Sequence, residues 1–250
     1  MRVNFFALSI AAAALLTAML SGIAGIGGGT ILIGIFYAIG LSTAQAVPLH
    51  AAVQLASNAS RTVAYFRAVE WRAAGWFMLG CAPAPFLIAP YVPMVNTHII
   101  ELVLAVMIIG SLIPGKKADG FLPLRWAYLL AGALVGSIGM FVGASGLFVG
   151  RLFLRPEWRK ETTIGTLALC QCLGHGTKLL GYGSAGLSPF EQMDLLIPLV
   201  IAVVLGTIAG KQLNKRLSEE RFRTLVNAVL LIMSLKLLWD GVHGLMTAGA

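Results

Sequence analysis

Charged residues are scarce in this chain, and acidic residues are scarcer than basic ones. Only 11% of the 250 residues are charged, and only 10 are Asp or Glu. Soluble domains carry about 25% charged residues, so the composition excludes an ordinary water-soluble fold. The hydrophobic share of 58% and the mean hydropathy of +0.87 indicate that nearly all of the sequence lies in or beside a bilayer.

Cysteines are few as well, and their number and spacing exclude a disulfide framework. Cys81, Cys170 and Cys172 are an odd set, and all three lie in apolar segments. Cys170 and Cys172 point about 200° apart on a helix, so they cannot hold a metal together on one face. We interpret them as small buried packing residues, with a sulfur-handling thiol as the alternative, and we expect neither a metal nor a cofactor.

The chain also lacks any hydrophilic linker long enough to separate soluble domains. Ten apolar runs occupy it instead. They lie near residues 5–22, 28–40, 46–66, 73–91, 99–113, 126–142, 146–154, 162–180, 195–210 and 224–243. We therefore predict one all-α polytopic membrane domain over residues 1–250.

The basic residues predict how this domain sits in the membrane. If the Gly-broken pairs 5–22 with 28–40 and 126–142 with 146–154 are helical hairpins, most Lys and Arg residues face one compartment. Short cytoplasmic loops of membrane proteins are enriched in these residues, so we predict an inner-membrane protein with both termini on the non-cytoplasmic side. The same rule explains the net charge of +8 without nucleic-acid binding.

Three blocks of sequence recur between the two halves, at separations of 114, 117 and 123 positions. The first block includes the N-terminal apolar run, so we expect this run to be retained rather than cleaved as a signal peptide. Each half, about 5–113 and about 126–243, contains five segments. Five membrane segments are an odd number, so the second half begins on the opposite side of the membrane from the first. We therefore predict an inverted-topology repeat.

The second block repeats a polar stripe inside apolar sequence. Gln54, Asn58, Arg61 and Tyr65 recur as Gln171, His175, Lys178 and Tyr182. Steps of four, three and four residues keep these side chains within a stripe about 60° wide on a helix. Cations are costly in hydrocarbon, so the repeated stripe predicts the wall of a cavity.

Two of these residues have alternative interpretations. Arg61 lies near the end of its apolar run and could instead extend to the membrane surface. His175 could be a buried core histidine with ordinary hydrogen bonds. We also take it to be the only side chain within the membrane that titrates readily near neutral pH, which makes it our sole proton-coupling candidate.

Both predicted hairpins turn through glycine-rich tips, at 22–29 and 139–146. Such glycines can serve helix packing alone. Alternatively, the backbone N–H groups of Gly28, Gly29 and Thr30, and of Ser145 and Gly146, point at an anion near the middle of the membrane. The candidate substrate site comprises Gly27, Gly28, Gly29, Thr30, Ser145, Gly146 and the eight stripe residues.

No carboxylate lies in the middle of an apolar run. Most acidic residues instead lie in loops or near the ends of runs: Glu70, Glu101, Glu157, Glu161, Glu191 and Asp240. A site with cations, amides and backbone N–H groups but no carboxylate favours anions over metal cations.

These motifs resemble the TauE/SafE sulfite exporter family of membrane permeases. The resemblance rests on Gly-Ile-Gly-Gly-Gly at 25–29 with its apolar continuation, and on Ala46-Val47-Pro48 before Asn58 and Arg61. At the second tip, Gly143-Ala144-Ser145-Gly146 departs from a Gly-Gly-Pro-like pattern. The resemblance implies export of a small sulfur-containing anion, such as sulfite or an organosulfonate.

We therefore predict a secondary transporter for such an anion, working by alternating access and coupled to protons through His175. A carboxylate substrate and an anion channel are the main alternatives. A membrane enzyme using Cys170 or His175 has no carboxylate or metal cluster to support it. The expected partners are the anion and the lipid bilayer, without nucleic acid, and the sequence leaves a homodimer open.

Overall fold

The structure is a computed structural model that describes residues 5–24, 27–113, 122–144, 146–153, 155–213 and 219–248. Within these ranges the chain forms α-helices and short 3-10 helices and no strand, which confirms the all-α prediction. The α-helices of the first half are α1 (Phe5–Ala24), α2 (Gly28–Ala38), α3 (Thr43–Ala64), α4 (Trp71–Cys81), α5 (Pro83–Ile88) and α6 (Thr97–Leu112). Those of the second half are α7 (Leu124–Gly136), α8 (Ile138–Val142), α9 (Gly146–Val149), α10 (Lys160–Ser184), α11 (Met193–Leu213) and α12 (Glu219–Ala248).

Two apolar runs are divided more finely than the sequence predicts. The run 73–91 becomes α4, α5 and a 3-10 helix (Ala89–Met94), because prolines interrupt the helical hydrogen-bond ladder there. The run 126–142 becomes α7 and α8, which are separated at Ser137 with φ −101° and ψ −83°. The ends of the other described helices lie within about five residues of the predicted runs.

Both glycine-rich tips break the chain where a side chain would be strained. Gly27 precedes α2 with φ +104°, and Gly143 follows α8 with φ +76°. Residues with a Cβ rarely adopt these angles. The helices next to the tips are short: the 11 residues of α2 rise about 16 Å, roughly half of a hydrocarbon core.

Four pairs of helices make the most extensive contacts: α1 with α11, α3 with α10, α4 with α7, and α6 with α12. Glycines allow two of these pairs to approach closely. On α11, a Cβ at Gly206 or Gly210 would collide with backbone oxygens of α1. On α7, a Cβ at Gly132 or Gly136 would collide with backbone oxygens of α4.

The outer surface of the helices is apolar. Trp71, Leu79, Trp126, Ile232 and Trp239 are each more than half exposed. By length and composition, three helical stretches of the described chain can cross a membrane: Trp71–Met94, Pro189–Gly210 and Val226–Thr247. An exposed belt of large apolar side chains matches a lipid environment rather than water.

The α4–α7 contact makes a testable prediction about stability. A Cβ at Gly80 would meet the carbonyl oxygen of Leu129, whereas a Cβ at Gly75 on the same helix meets nothing within 4 Å. Gly80→Ala should therefore lower the free energy of unfolding by about 1–3 kcal/mol, the usual cost of overpacking. Gly75→Ala should raise it slightly, because alanine loses less backbone entropy in a helix. Thermal unfolding in detergent measures both, and equal melting temperatures would contradict the close packing.

Candidate functional site

The two polar stripes lie side by side in the centre of the molecule. They belong to α3 and α10, which pack against each other. Helix α3 begins with a capping box in which the Ser42 N–H donates to the Gln45 side chain at 3.1 Å. This cap sets where the helix starts, and the 3.6-residue period then directs the stripe of α3 towards α10.

A cavity of about 390 Å³, part of which is open to the outside, lies between the stripes and the two hairpin tips. Its described lining residues are Ser21, Gly27, Gly29, Thr30, His50, Gln54, Asn58, Arg61, Ala144, Gly146, Leu167, Gln171 and His175. None of them is an aspartate or a glutamate.

At the first hairpin tip, Gly27, Gly29 and Thr30 line the cavity, whereas Gly28 packs against Thr17 and Ser21 of α1. Gly28 and Gly29 are the first two residues of α2, so their N–H groups have no acceptor inside the helix. The N–H of Thr30, which the sequence also predicted to face an anion, donates instead to the Gly27 carbonyl at 3.1 Å. A Cβ on Gly29 would lie 3.0 Å from Gln54 Oε1, so this tip is tightly packed against α3.

The stripe of α3 forms a chain of hydrogen bonds that ends at a guanidinium group. Asn58 Nδ2 donates to the Gln54 carbonyl at 2.9 Å, and Arg61 Nη1 donates to Asn58 Oδ1 at 3.3 Å. Arg61 is only 4% exposed and lines the cavity. The alternative in which Arg61 extends to the membrane surface is therefore wrong.

The stripe of α10 supplies an amide and an imidazole. Gln171 and His175 are both buried and line the cavity. Among the described residues, neither Gln171 Nε2 nor His175 Nδ1 has a hydrogen-bond partner. Buried polar atoms are nearly always hydrogen-bonded, so these two are available to a ligand.

Lys178 and Tyr182 lie in the same stripe but do not line the cavity. Lys178 Nζ donates to the Gly143 carbonyl at 3.2 Å, and Tyr182 Oη donates to the Met140 carbonyl at 2.6 Å. Tyr37 Oη donates to the neighbouring Phe141 carbonyl at 3.3 Å. These three donors bind carbonyls at or just after the C-terminal end of α8. The last carbonyls of a helix receive no hydrogen bond from N–H groups of the same helix, so they accept from side chains here. The three donors hold the second hairpin tip against α10 and α2.

The remaining predicted residues divide between the tip and the end of α3. Gly146 lines the cavity, whereas Ser145 lies outside the described residues. Tyr65 directly follows the last residue of α3 and is not part of the lining.

His50 is a cavity residue that sequence reasoning missed. It lies four positions before Gln54, so it extends the stripe of α3 by one helical turn. Its Nε2 is 2.9 Å from the Gly29 carbonyl, and its ring centroid is 5.6 Å from that of His175. The signal was present, but the residue 117 positions later is Leu167, so His50 does not recur as a polar residue.

The structure bears on a metal site only through the histidines, cysteines and acidic residues that it describes. Among the described residues, no group of three or more His, Cys, Asp or Glu side chains could hold a metal ion. Cys81 and Cys170 are buried, and the three cysteines do not line the cavity.

Comparison with known proteins identifies the family. The model of the sulfite exporter TauE/SafE family matches residues 10–237, which is most of the chain. Searches of curated proteins and of solved structures found no match. With its all-helical fold and its exposed apolar helices, this chain belongs to the TauE/SafE family of membrane sulfite exporters.

Proposed function

We propose that this protein is a secondary transporter that moves a small sulfur-containing anion, such as sulfite or an organosulfonate, by alternating access. The family implies membrane export of sulfite or a related sulfur anion. The observation that carries the proposal is the partly open cavity, which the buried Arg61 lines and which has no carboxylate in its described lining. The positive charge of such a cavity attracts an anion, and its described lining has no negative side chain that would repel one.

The proposal includes an inverted repeat with its axis near the cavity. On α3 and α10, three pairs of described lining residues are separated by 117 positions, the separation of the repeated polar stripe. The pairs are His50 with Leu167, Gln54 with Gln171, and Asn58 with His175. Corresponding positions of the two halves therefore contribute to the same cavity, as expected for a site at a repeat interface.

The helix contacts support the same repeat. Suppose that α1 corresponds to α7 and that α4 corresponds to α11. Exchanging the two halves of the chain then converts the α1–α11 contact into the α4–α7 contact. The α3–α10 and α6–α12 contacts each join an element to its own counterpart. A two-fold relation between the halves requires this pattern. We propose repeat units of about 5–113 and about 126–243 within a single domain.

The short helices at the tips support alternating access. Helix α2 is too short to cross the membrane, and α9 continues into a 3-10 helix (Gly150–Phe153) after one turn. We propose that the hairpins enter the membrane and meet at the cavity, with both chain termini on the non-cytoplasmic side of the inner membrane. In this orientation most basic loops face the cytoplasm.

A small carboxylate is the second candidate substrate. Carboxylates and sulfur oxyanions share negative charge and oxygen acceptors, so the donors of this cavity suit both. The family favours the sulfur anions.

Counterflow in proteoliposomes tests the proposal. Vesicles containing the purified protein and unlabelled sulfite should transiently accumulate radiolabelled sulfite from outside. Methanesulfonate, thiosulfate and acetate as competitors then define the substrate class. Protein-free vesicles are the control. A channel would give large single-channel currents and no transient accumulation, and the absence of exchange for every sulfur anion would contradict the proposal.

A further inference from the structure

We propose that each transported anion is accompanied by one proton, which is held by His50 and His175 where their imidazoles meet in the cavity. This rests on the anion transport proposed above, and it adds His50 and a defined proton number to the coupling role that the sequence suggested for His175. The two residues come from different halves of the chain, at the contact between α3 and α10.

The hydrogen bond to Gly29 fixes the state of His50. A carbonyl oxygen only accepts hydrogen bonds, so His50 Nε2 must donate its N–H across the 2.9 Å contact. In a neutral imidazole the other nitrogen, Nδ1, is then an acceptor. His50 is 1% exposed, and its Nδ1 has no partner among the described residues.

His175 supplies a second buried ring nitrogen. It is 3% exposed, and its Nδ1 also has no partner among the described residues. The ring centroids of the two histidines are 5.6 Å apart in an edge-to-face arrangement. Two buried ring nitrogens without partners among the described residues, on neighbouring imidazoles that line one cavity, form a site for a proton or for a ligand that carries one.

The charges around the pair couple the proton to the anion. Lys178 on α10 acts electrostatically on both imidazoles, and the imidazoles act on each other. From α2 and the second tip the pair faces Gly29, Phe36 and Gly143, which do not titrate. No carboxylate among the described residues faces the pair.

A proton in the empty cavity would therefore add positive charge to a region that already feels Lys178 and is lined by the guanidinium group of Arg61, in surroundings of low dielectric constant. An anion removes this repulsion, so the proton binds much more strongly when the anion is present. By linkage, the anion must then bind more strongly when the proton is present. Falling pH should strengthen anion binding, and rising pH should weaken it.

The internal repeat suggests mild substitutions for a test. Leu167 lies at the position that corresponds to His50, and Asn58 lies at the position that corresponds to His175. His50→Leu and His175→Asn therefore introduce residues that the cavity already accommodates at the counterpart positions. His243→Asn is the control, because His243 is exposed on α12 and stacks on Trp239 far along the chain from the stripes.

The experiment measures proton uptake on anion binding to the purified full-length protein. The probe is methanesulfonate, which stays ionised near neutral pH, so any proton taken up goes to the protein. Calorimetric titrations in two buffers with different ionisation enthalpies give the number of protons. We expect about one proton per anion, and an affinity that falls about tenfold per pH unit over the coupled range.

The double variant His50→Leu/His175→Asn should bind the anion without proton uptake, and His243→Asn should behave as the wild-type protein does. Anion binding without proton uptake by the wild-type protein would overturn the inference and leave the transport proposal intact. Uptake that persists in the double variant would assign the proton elsewhere. If only sulfite binds, its own protonation is subtracted and the remaining uptake decides. If neither anion binds, the proposed function fails and the inference fails with it.

Discussion

Arg61→Ala should abolish uptake of a labelled sulfur anion into proteoliposomes. Arg61 lies in the cavity wall, and its guanidinium group provides the positive charge of the described lining. Alanine leaves neutral amides and the partial charges of helix ends, which attract an anion much more weakly. Removing one partner of a buried hydrogen-bonded charge pair costs about 2–5 kcal/mol, so affinity should fall at least about thirtyfold.

Two further substitutions make this test specific. Arg67→Ala removes the same charge from an exposed position just beyond α3, so it should transport as the wild-type protein does. Arg61→Lys keeps the charge but loses the planar fork that binds two oxygens, so transport should be reduced rather than abolished. Wild-type transport by a folded Arg61→Ala protein would show that the anion does not bind here. Thermal unfolding of each variant checks that the fold is intact.

Much of the helical framework was predictable because apolar runs and their interruptions have local causes. The runs follow the membrane thickness, and glycine or proline ends them through backbone geometry alone. The divisions inside α4–α5 follow from Pro83 and Pro85, which were visible in the sequence but lay inside one apolar run. The break at Ser137 has no comparable local signal, and we have no physical account of it.

The candidate site was predictable where a residue acts through its own helix face. Gln54, Asn58, Arg61, Gln171 and His175 all line the cavity, because the helical period alone directs them to one side. Lys178 shares that face but binds the Gly143 carbonyl instead. Its partner depends on where α8 ends in space, and the periodicity of a single helix contains no information about that.

His50 is a cavity residue that the comparison of the two halves could not find. Repetition was the signal that separated functional residues from ordinary polar ones, and it selects only positions that are polar in both halves. His50 corresponds to Leu167, so the comparison discarded it although both residues line the cavity. Residues that make the two halves chemically different are the ones that a repeat-based search loses.

Lys178→Met should stabilise the anion-free protein and weaken its affinity for the anion. The Lys178 side chain is fully buried, and its only hydrogen bond among the described residues is to a backbone carbonyl. Burying an ammonium group costs several kcal/mol, and no described carboxylate compensates it. The substitution removes this cost but leaves the Gly143 carbonyl without a donor, which costs about 1–3 kcal/mol.

Removing the cost of the buried ammonium group outweighs the loss of the hydrogen bond to Gly143. The melting temperature without anion should therefore rise by several degrees, at about 2–4 °C per kcal/mol. The anion should bind less tightly, because Lys178 acts electrostatically on both histidines of the cavity wall and so adds positive potential there. Lys236→Met is the control: Lys236 is half-exposed and pairs with Asp240 at 2.5 Å, so losing it should change stability little. A lower melting temperature with unchanged anion affinity would mean that Lys178 serves only to hold the second hairpin tip. A higher one with weaker binding would mean that this buried charge is maintained at the expense of stability because the anion neutralises it.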